Sequence, residues 1–136
     1  MITREEMLNQ WIPYRLQAIE TLQFAWQWIS ESDSPRQVDV LVDGKLKLRG
    51  NVASIANPMI EAGIIHARAL LEFLGLCAVN GKLGQVQRRR PDDVAVEHFS
   101  TEEFPLSIVD PNAALSAYPG PREDAEQALV NIRIGK

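Results

Sequence analysis

The sequence has very little cysteine and histidine: one cysteine, Cys77, and two histidines among 136 residues. A single cysteine excludes an intramolecular disulfide and is typical of a protein from a reducing compartment. Because histidine and cysteine do not recur at the spacing that zinc ligands need, we expect no metal site. We find no motif for another cofactor, so none is expected.

Long apolar segments are also lacking. No uninterrupted apolar run reaches the roughly 18 residues that a transmembrane helix needs, and no basic segment followed by an apolar one resembles a signal peptide. The formal charge of −4 disfavours nucleic acid as the main partner, because proteins that bind it usually present a net basic surface. The composition therefore predicts one cytoplasmic domain, 1–136, without a membrane partner.

What the sequence does contain is mostly helical patterning. Thr3 and Glu6 have the spacing of a capping box, which predicts a helix start. The pattern continues to Ser30, and Pro13 predicts either a kink at Trp11–Pro13 or two consecutive helices, because proline lacks a backbone donor. Beyond this proline one face is apolar and the opposite face is polar, as in an amphipathic helix.

Two side chains of this helix do not fit its pattern. Arg15 lies within the apolar face, so it needs a partner, and both a structural ion pair and an external anion stay open. The carboxylates that could pair with Arg15 are those of Glu61, Glu72 and Asp92. Trp28 projects toward the polar face, which predicts an exposed anchor for another protein.

A β-hairpin arm is predicted at about 37–49. Apolar and polar residues alternate on both sides of Asp43-Gly44, and this pair is typical of a type I′ turn because both residues tolerate a positive φ. A two-stranded hairpin is only marginally stable by itself. The arm must therefore pack on the helices or against another chain.

A central helix is predicted to begin with Asn57 as its cap and Pro58 at its first position. Its predicted end lies near Val79, because Asn80-Gly81 is a helix stop signal. Apolar residues cover more than half of its circumference, which predicts burial. His66 lies on this apolar side, either as a hydrogen-bonded core residue or as a group that binds a ligand or transfers a proton.

Charged groups in the second half of the chain give further candidates. Arg68 and Glu72 are one helical turn apart, which predicts a partly buried ion pair or a shared role in a binding site. The consecutive residues Arg88, Arg89 and Arg90 suit a phosphate contact, although such runs are most often solvated.

The C-terminal part is predicted to wrap around the helices. A short helix is expected after Pro91, and prolines then punctuate an irregular stretch between Pro105 and Pro121. The last predicted helix runs from Pro121 to Lys136. No cap follows this helix, which leaves open that the domain continues past Lys136.

One region resembles known proteins. The triplet His66-Ala67-Arg68 and then Glu72-Phe73 are followed by Arg90-Pro91-Asp92-Asp93-Val94-Ala95 and by Phe99. This combination resembles a group of uncharacterised small bacterial proteins in which a His-Ala-Arg helix precedes an Asp-Asp-Val segment. More distantly, it resembles the HEPN superfamily of helical bundles, many of which act in toxin–antitoxin and defence systems and some of which cleave RNA. The resemblance implies a bundle fold and names no activity.

The chain departs from the RNA-cleaving members of that superfamily. Those members carry an arginine that is followed, after four to six intervening residues, by a histidine. The residues at those positions before His66 are Met59, Ile60 and Glu61, and those before His98 are Pro91, Asp92 and Asp93. The nuclease motif is therefore absent from this sequence.

The predicted fold class is mainly α, a helical bundle of about four helices with a small β-hairpin insertion. The first functional hypothesis is protein association, as a homo-oligomer or with a protein partner, and it is favoured by the hairpin arm and Trp28. The second is a HEPN-like module that binds RNA or a nucleotide through Arg15, His66, Arg68 and Arg88–Arg90. The third is an enzyme with His66 as general acid–base and Arg15 or Arg68 stabilising an anion. No complete catalytic constellation is present, so the sequence argues more for binding than for catalysis.

Overall fold

A computed structural model describes residues 1–31, 33–34 and 36–134 of the chain. Of these residues 55% are helical, and two small antiparallel hairpins supply the strands, which confirms a mainly α protein. The chain divides into two compact units, Met1–His66 and Ala67–Lys136. Within the described part of the chain, no helix is both long and apolar enough to cross a membrane.

The N-terminal unit begins with one helical segment built from three parts. Helix α1 (Arg4–Glu6) is followed by a π-helical turn (Met7–Trp11) and by α2 (Ile12–Ser30). The predicted capping box is confirmed, because the Thr3 side chain accepts from the backbone of Glu6 and the Glu6 carboxylate accepts from the backbone of Thr3. Pro13 falls in the first turn of α2, where a missing backbone donor costs little.

The predicted hairpin arm is confirmed. Strand β1 (Gln37–Val42) pairs antiparallel with β2 (Lys45–Asn51), and Val42 lies opposite Lys45. The turn residues Asp43 and Gly44 have φ values of 52° and 74°, as a type I′ turn requires.

Helix α3 (Val52–Phe73) begins earlier and ends earlier than predicted. Asn51, rather than Asn57, provides the cap: its side-chain oxygen accepts a hydrogen bond of 2.9 Å from the backbone N–H of Ala53. Pro58 therefore lies inside the helix, where it removes one backbone hydrogen bond. The helix ends before Gly75, whose φ of 81° is compatible with a helix terminus and not with its continuation.

The residues expected to complete the central helix instead form a second hairpin. Strand β3 (Leu76–Val79) pairs antiparallel with β4 (Lys82–Gln85). Asn80-Gly81 is the turn between them, with φ values of 51° and 75°, and not a helix stop signal. The prediction was wrong because an Asn-Gly pair ends a helix and turns a hairpin equally well.

The rest of the C-terminal unit also differs from the prediction in part. A 3₁₀ turn (Val96–Phe99) takes the place of the helix predicted after Pro91, and α4 (Pro111–Ser116) lies in the stretch predicted to be irregular. Helix α5 (Arg122–Ile134) confirms the last predicted helix up to Ile134, and Gly135 and Lys136 lie outside the described residues. The buried core of this unit comprises Leu71, Leu76, Leu83, Leu115 and Val130.

Candidate functional site

In the N-terminal unit, helix α2 and the part of α3 up to His66 line a groove with a volume of about 450 Å³. This volume is within the range of small-molecule sites. The apolar residues that line the groove are Ala18, Pro58, Met59 and Ala62. The polar residues that line it are Tyr14, Gln17, Thr21 and His66. The helices approach closely beside the groove, because a side chain at Gly63 would collide with Leu22.

His66 forms a specific contact with Arg15. Nη1 of Arg15 lies 2.9 Å from Nδ1 of His66, and the two residues are 51 positions apart in the chain. A guanidinium group only donates hydrogen bonds, so Nδ1 must be the acceptor. The His66 ring is therefore neutral and carries its proton on Nε2.

The surroundings of His66 favour this neutral form. Burial, together with the positive charge of Arg15, lowers the pKa of His66 below its ordinary value of 6.5. Tyr14 packs edge-to-face on the imidazole, with ring centroids 5.1 Å apart and an interplanar angle of 82°. The imidazole therefore has a fixed position, and its Nε2–H donates to no described residue.

Arg15 has no carboxylate partner among the described residues. Its guanidinium carbon lies 4.8 Å from the centroid of the Trp11 ring, and its Nε is buried without a hydrogen-bond partner. No ion pair among the described residues includes Arg15. Its observed hydrogen-bond partner is His66 rather than a carboxylate.

The predicted ion pair between Arg68 and Glu72 is replaced by other contacts in the C-terminal unit. Nε of Arg68 donates a hydrogen bond of 2.8 Å to the carbonyl of Ile132 in α5. The Glu72 carboxylate lies 4.0 Å from the Arg133 guanidinium. Arg68 thus links α5 to the C-terminal end of α3, and the exposed Glu72 adds only a long ion pair that solvent screens.

The basic run Arg88–Arg90 does not act as one patch. The side chain of Arg89 is 12% exposed and donates to the Glu97 carboxylate at 2.9 Å. It also donates to the carbonyls of Glu72 and Phe73 at the end of α3, where carbonyl groups lack partners in the next helical turn; the Glu72 carbonyl accepts from the backbone N–H of Gly75 as well. Arg88 and Arg90 are exposed. Arg89 is therefore a structural residue, and the expectation of a solvated run holds only for its neighbours.

Glu97 is the counter-ion of Arg89, and this contact shifts the pKa of the Glu97 carboxyl. Burial by itself raises the pKa of the Glu97 carboxyl, but the hydrogen bonds from Arg89 and from the backbone N–H of Glu97, together with the positive charge of Arg89, lower this pKa more. The pKa of Glu97 therefore lies below its ordinary value of 4.5. This carboxylate was not singled out from the sequence, because nothing in its spacing connects it to Arg89.

The exposed tryptophan of α2 is Trp26 and not Trp28. Trp26 is 62% exposed, whereas Trp28 is half-buried, so the prediction of an exposed anchor at Trp28 is wrong. Tyr14 is also exposed, at 63%, so large apolar side chains of α2 are not all buried.

Large apolar side chains are exposed mainly in the N-terminal unit. Among the described residues, those exposed in this unit are Met1, Leu8, Tyr14, Leu16, Phe24, Trp26, Leu41, Val42, Leu46, Leu48 and Ile65. Those exposed in the C-terminal unit are Val79, Val94, Phe104, Tyr118 and Ile134. The N-terminal unit therefore carries most of the apolar surface that a partner could cover.

Sequence reasoning found His66 and Arg15 but missed the groove beside them. The signal was present as helical spacing: Tyr14, Ala18 and Thr21 recur on one side of α2, and Met59, Ala62 and His66 recur on one side of α3. Among the described residues, no group of three or more histidine, cysteine, aspartate or glutamate side chains could hold a metal ion. Comparison with protein-family models, curated proteins and solved structures finds no match to this chain.

Proposed function

We propose that this protein acts by self-association, and that the N-terminal unit forms the interface of a homodimer. The observation that carries this proposal is the exposure of four large apolar side chains on the β1–β2 hairpin: Leu41, Val42, Leu46 and Leu48. In the hairpin register Leu41 lies opposite Leu46, and Leu48 lies opposite the half-buried Val40. Val42 lies opposite Lys45, on the other face of the hairpin from its neighbour Leu41. Apolar side chains exposed along both strands favour burial against another surface.

The backbone of the hairpin supports the same conclusion. No third strand pairs with β1 or β2 among the described residues, so each strand has one open edge. Open edges with apolar side chains readily pair with another chain. A two-stranded hairpin is also marginally stable in isolation, so a partner would stabilise it.

The charges of the hairpin favour a second copy of this chain as the partner over a strongly acidic or strongly basic protein. Asp39 and Arg49 already pair within the hairpin, through hydrogen bonds of 2.8 and 3.1 Å. Asp43 at the turn and the adjacent Lys45 and Lys47 are then exposed charges of both signs. A twofold-related copy can place the acidic turn of each protomer near the lysines of the other.

The test is the oligomeric state of the full chain, measured by sedimentation velocity between about 1 and 200 μM. We expect a concentration-dependent dimer. The double variant Leu46→Ser/Leu48→Ser should weaken dimerisation at least about tenfold, because each dimer then loses four apolar side chains from its interface. Both leucines are about half exposed in the protomer, so the fold should survive.

The matched control is Phe104→Ser/Tyr118→Ser, which removes two exposed apolar side chains from the C-terminal unit. This control should dimerise as the unaltered chain does. A chain that stays monomeric throughout the concentration range contradicts the proposal. Equal weakening by both double variants also contradicts it, because the interface would then not be specific to the hairpin.

The alternative of a HEPN-like module that binds RNA or a nucleotide receives less support from the geometry. Of its predicted phosphate ligands, Arg68 donates to a backbone carbonyl and Arg89 to Glu97 and to helix-end carbonyls. The enzyme hypothesis also loses part of its argument, since Nδ1 of His66 is engaged by Arg15. Self-association requires neither free arginine side chains nor a free imidazole, and we therefore prefer it to the other two hypotheses.

A further inference from the structure

We infer that the groove between α2 and α3 binds a small carboxylate with an apolar body, and that His66 holds the carboxylate. The inference does not depend on dimerisation. It rests on the size and lining of the groove, on the protonation of His66 and on the charge of Arg15.

The lining of the groove suits the apolar body of such a ligand. Its walls are formed in part by Ala18, Pro58, Met59 and Ala62, whose side chains offer only weakly polar or apolar contacts. Small residues on both helices leave space for a flat or linear hydrocarbon group. Burial of that group provides the main affinity, and the few polar side chains provide orientation.

His66 supplies the donor for the carboxylate. Its Nδ1 accepts from Arg15, so its Nε2 bears a hydrogen and is the ring nitrogen left for a ligand. The Arg15 guanidinium behind the ring polarises this N–H and strengthens it as a donor. A carboxylate is a charged acceptor, and hydrogen bonds to a charged acceptor are about twice as strong as those to a neutral one.

The charge of the site selects an anion over a cation. None of the residues that line the groove is acidic. Arg15 contacts the lining residue His66 and forms no ion pair with a carboxylate of the described residues. A guanidinium group with a buried, unpartnered Nε carries positive charge that the protein itself does not neutralise. A bound carboxylate would neutralise it across the imidazole, whereas an amine would be repelled.

The probe for the test is 2-naphthoate, and 2-naphthamide is the neutral control of the same shape. Binding is measured at pH 7.5 by isothermal titration calorimetry and by proton–nitrogen NMR of the histidine rings. We expect naphthoate to bind with a Kd below about 1 mM and the amide to bind at least about tenfold more weakly. Binding should also shift the signals of the His66 ring.

Two variants locate the site. His66→Asn keeps an acceptor near the position of Nδ1 for Arg15 but removes the Nε2–H donor, so the fold should persist while naphthoate binding falls at least about tenfold. Ala62→Phe fills the groove at an exposed position and should abolish binding of both probes while the hydrogen bond between Arg15 and His66 remains. Thermal unfolding of each variant verifies that it is folded.

The inference is overturned if naphthoate and naphthamide bind equally well, if neither binds at millimolar concentration, or if His66→Asn binds naphthoate as the unaltered chain does. The variant Leu46→Ser/Leu48→Ser separates this result from the proposed function. Its groove is unchanged, so it should bind naphthoate normally even as a monomer.

Discussion

The two hairpins have the same turn chemistry and opposite surroundings. Asp43-Gly44 and Asn80-Gly81 adopt almost the same backbone conformation, with φ values of 52° and 74° in the first and 51° and 75° in the second. The β1–β2 hairpin nevertheless exposes most of its side chains, whereas the β3–β4 hairpin buries Leu76 and Leu83 in the core of its unit.

The difference shows that turn residues specify a hairpin but not its role. In the C-terminal unit, the Glu126 carboxylate of α5 accepts a hydrogen bond of 3.2 Å from the backbone N–H of Leu83 in β4. The backbone N–H of Val86 also donates to the carbonyl of Gly75 and so closes the base of that hairpin. The second hairpin is thus part of a core, whereas the first leaves its apolar side chains exposed.

The largest expected effect comes from truncating one leucine in each hairpin. Leu76 is 1% exposed, so Leu76→Ala should lower the free energy of unfolding by about 2–5 kcal/mol through lost burial and a residual cavity. Leu46 is 48% exposed, so Leu46→Ala should change it by less than about 0.5 kcal/mol. Urea unfolding followed by far-UV circular dichroism measures both.

This measurement belongs in dilute solution, where self-association does not add to the stability of the N-terminal unit. Equal losses of unfolding free energy in the two variants would contradict this difference between the hairpins, because the β1–β2 hairpin would then be part of a core as the β3–β4 hairpin is.

A smaller effect is expected from the two turn glycines. An alanine at a φ near +75° is strained, and Gly81→Ala should lower the free energy of unfolding by about 1–2 kcal/mol. Gly44→Ala introduces the same strain in a hairpin that can open locally, so the global loss should be below about 0.5 kcal/mol.

Amide hydrogen exchange distinguishes the two variants further. Exchange should accelerate only between residues 37 and 51 in Gly44→Ala, whereas Gly81→Ala should accelerate it throughout the C-terminal unit. Unit-wide acceleration in Gly44→Ala would show that the first hairpin is as firmly integrated as the second.

The smallest expected effect is on the pH dependence of stability, and it separates the two units. The pKa of His66, which faces Arg15 and Tyr14, is lowered by folding, so the unfolded chain takes up its proton first as the pH falls. This contribution to stability is complete above about pH 6.5 and is lost as the pH falls through the folded pKa. The pKa of Glu97 is likewise lowered, so its contribution is lost in a more acidic window, below about pH 4.5.

The tryptophans make the upper window measurable in the N-terminal unit alone, because all three, Trp11, Trp26 and Trp28, lie in it. We expect the urea midpoint of unfolding, followed by tryptophan fluorescence, to decrease as the pH is lowered from 7.5 to 5.5. His66→Asn should remove this fall, and Glu97→Gln should leave it in place. A midpoint independent of pH in the unaltered chain contradicts the assignment of a neutral, Arg15-bound His66.

The sequence predicted those elements whose signals are local and unambiguous. The capping box at Thr3 and Glu6 and the turn at Asp43-Gly44 were identified correctly because neighbouring residues alone satisfy their hydrogen bonds and dihedral angles. The second hairpin was missed because Leu76–Val79 is too short and too apolar for its period to distinguish a strand from a helix.

The helix start at Val52 was missed for a related reason. Asn57-Pro58 is a strong start signal, but Asn51 caps the helix six residues earlier, directly after β2. A cap that follows a strand without a loop has no separate signature in the sequence. The continued helix then accommodates Pro58 in its interior.

By itself, the sequence determined the mainly helical composition, the first hairpin and the fact that Arg15 and His66 need polar partners, because propensity, turn geometry and the cost of desolvation depend on each residue and its neighbours. Only the tertiary structure decided that these two residues are each other's partner, since a contact across 51 positions leaves no local pattern. It also decided that Arg89 caps a helix and that one hairpin is buried while the other is exposed. Those outcomes depend on which surfaces meet when the chain folds, and a linear pattern does not encode that choice locally.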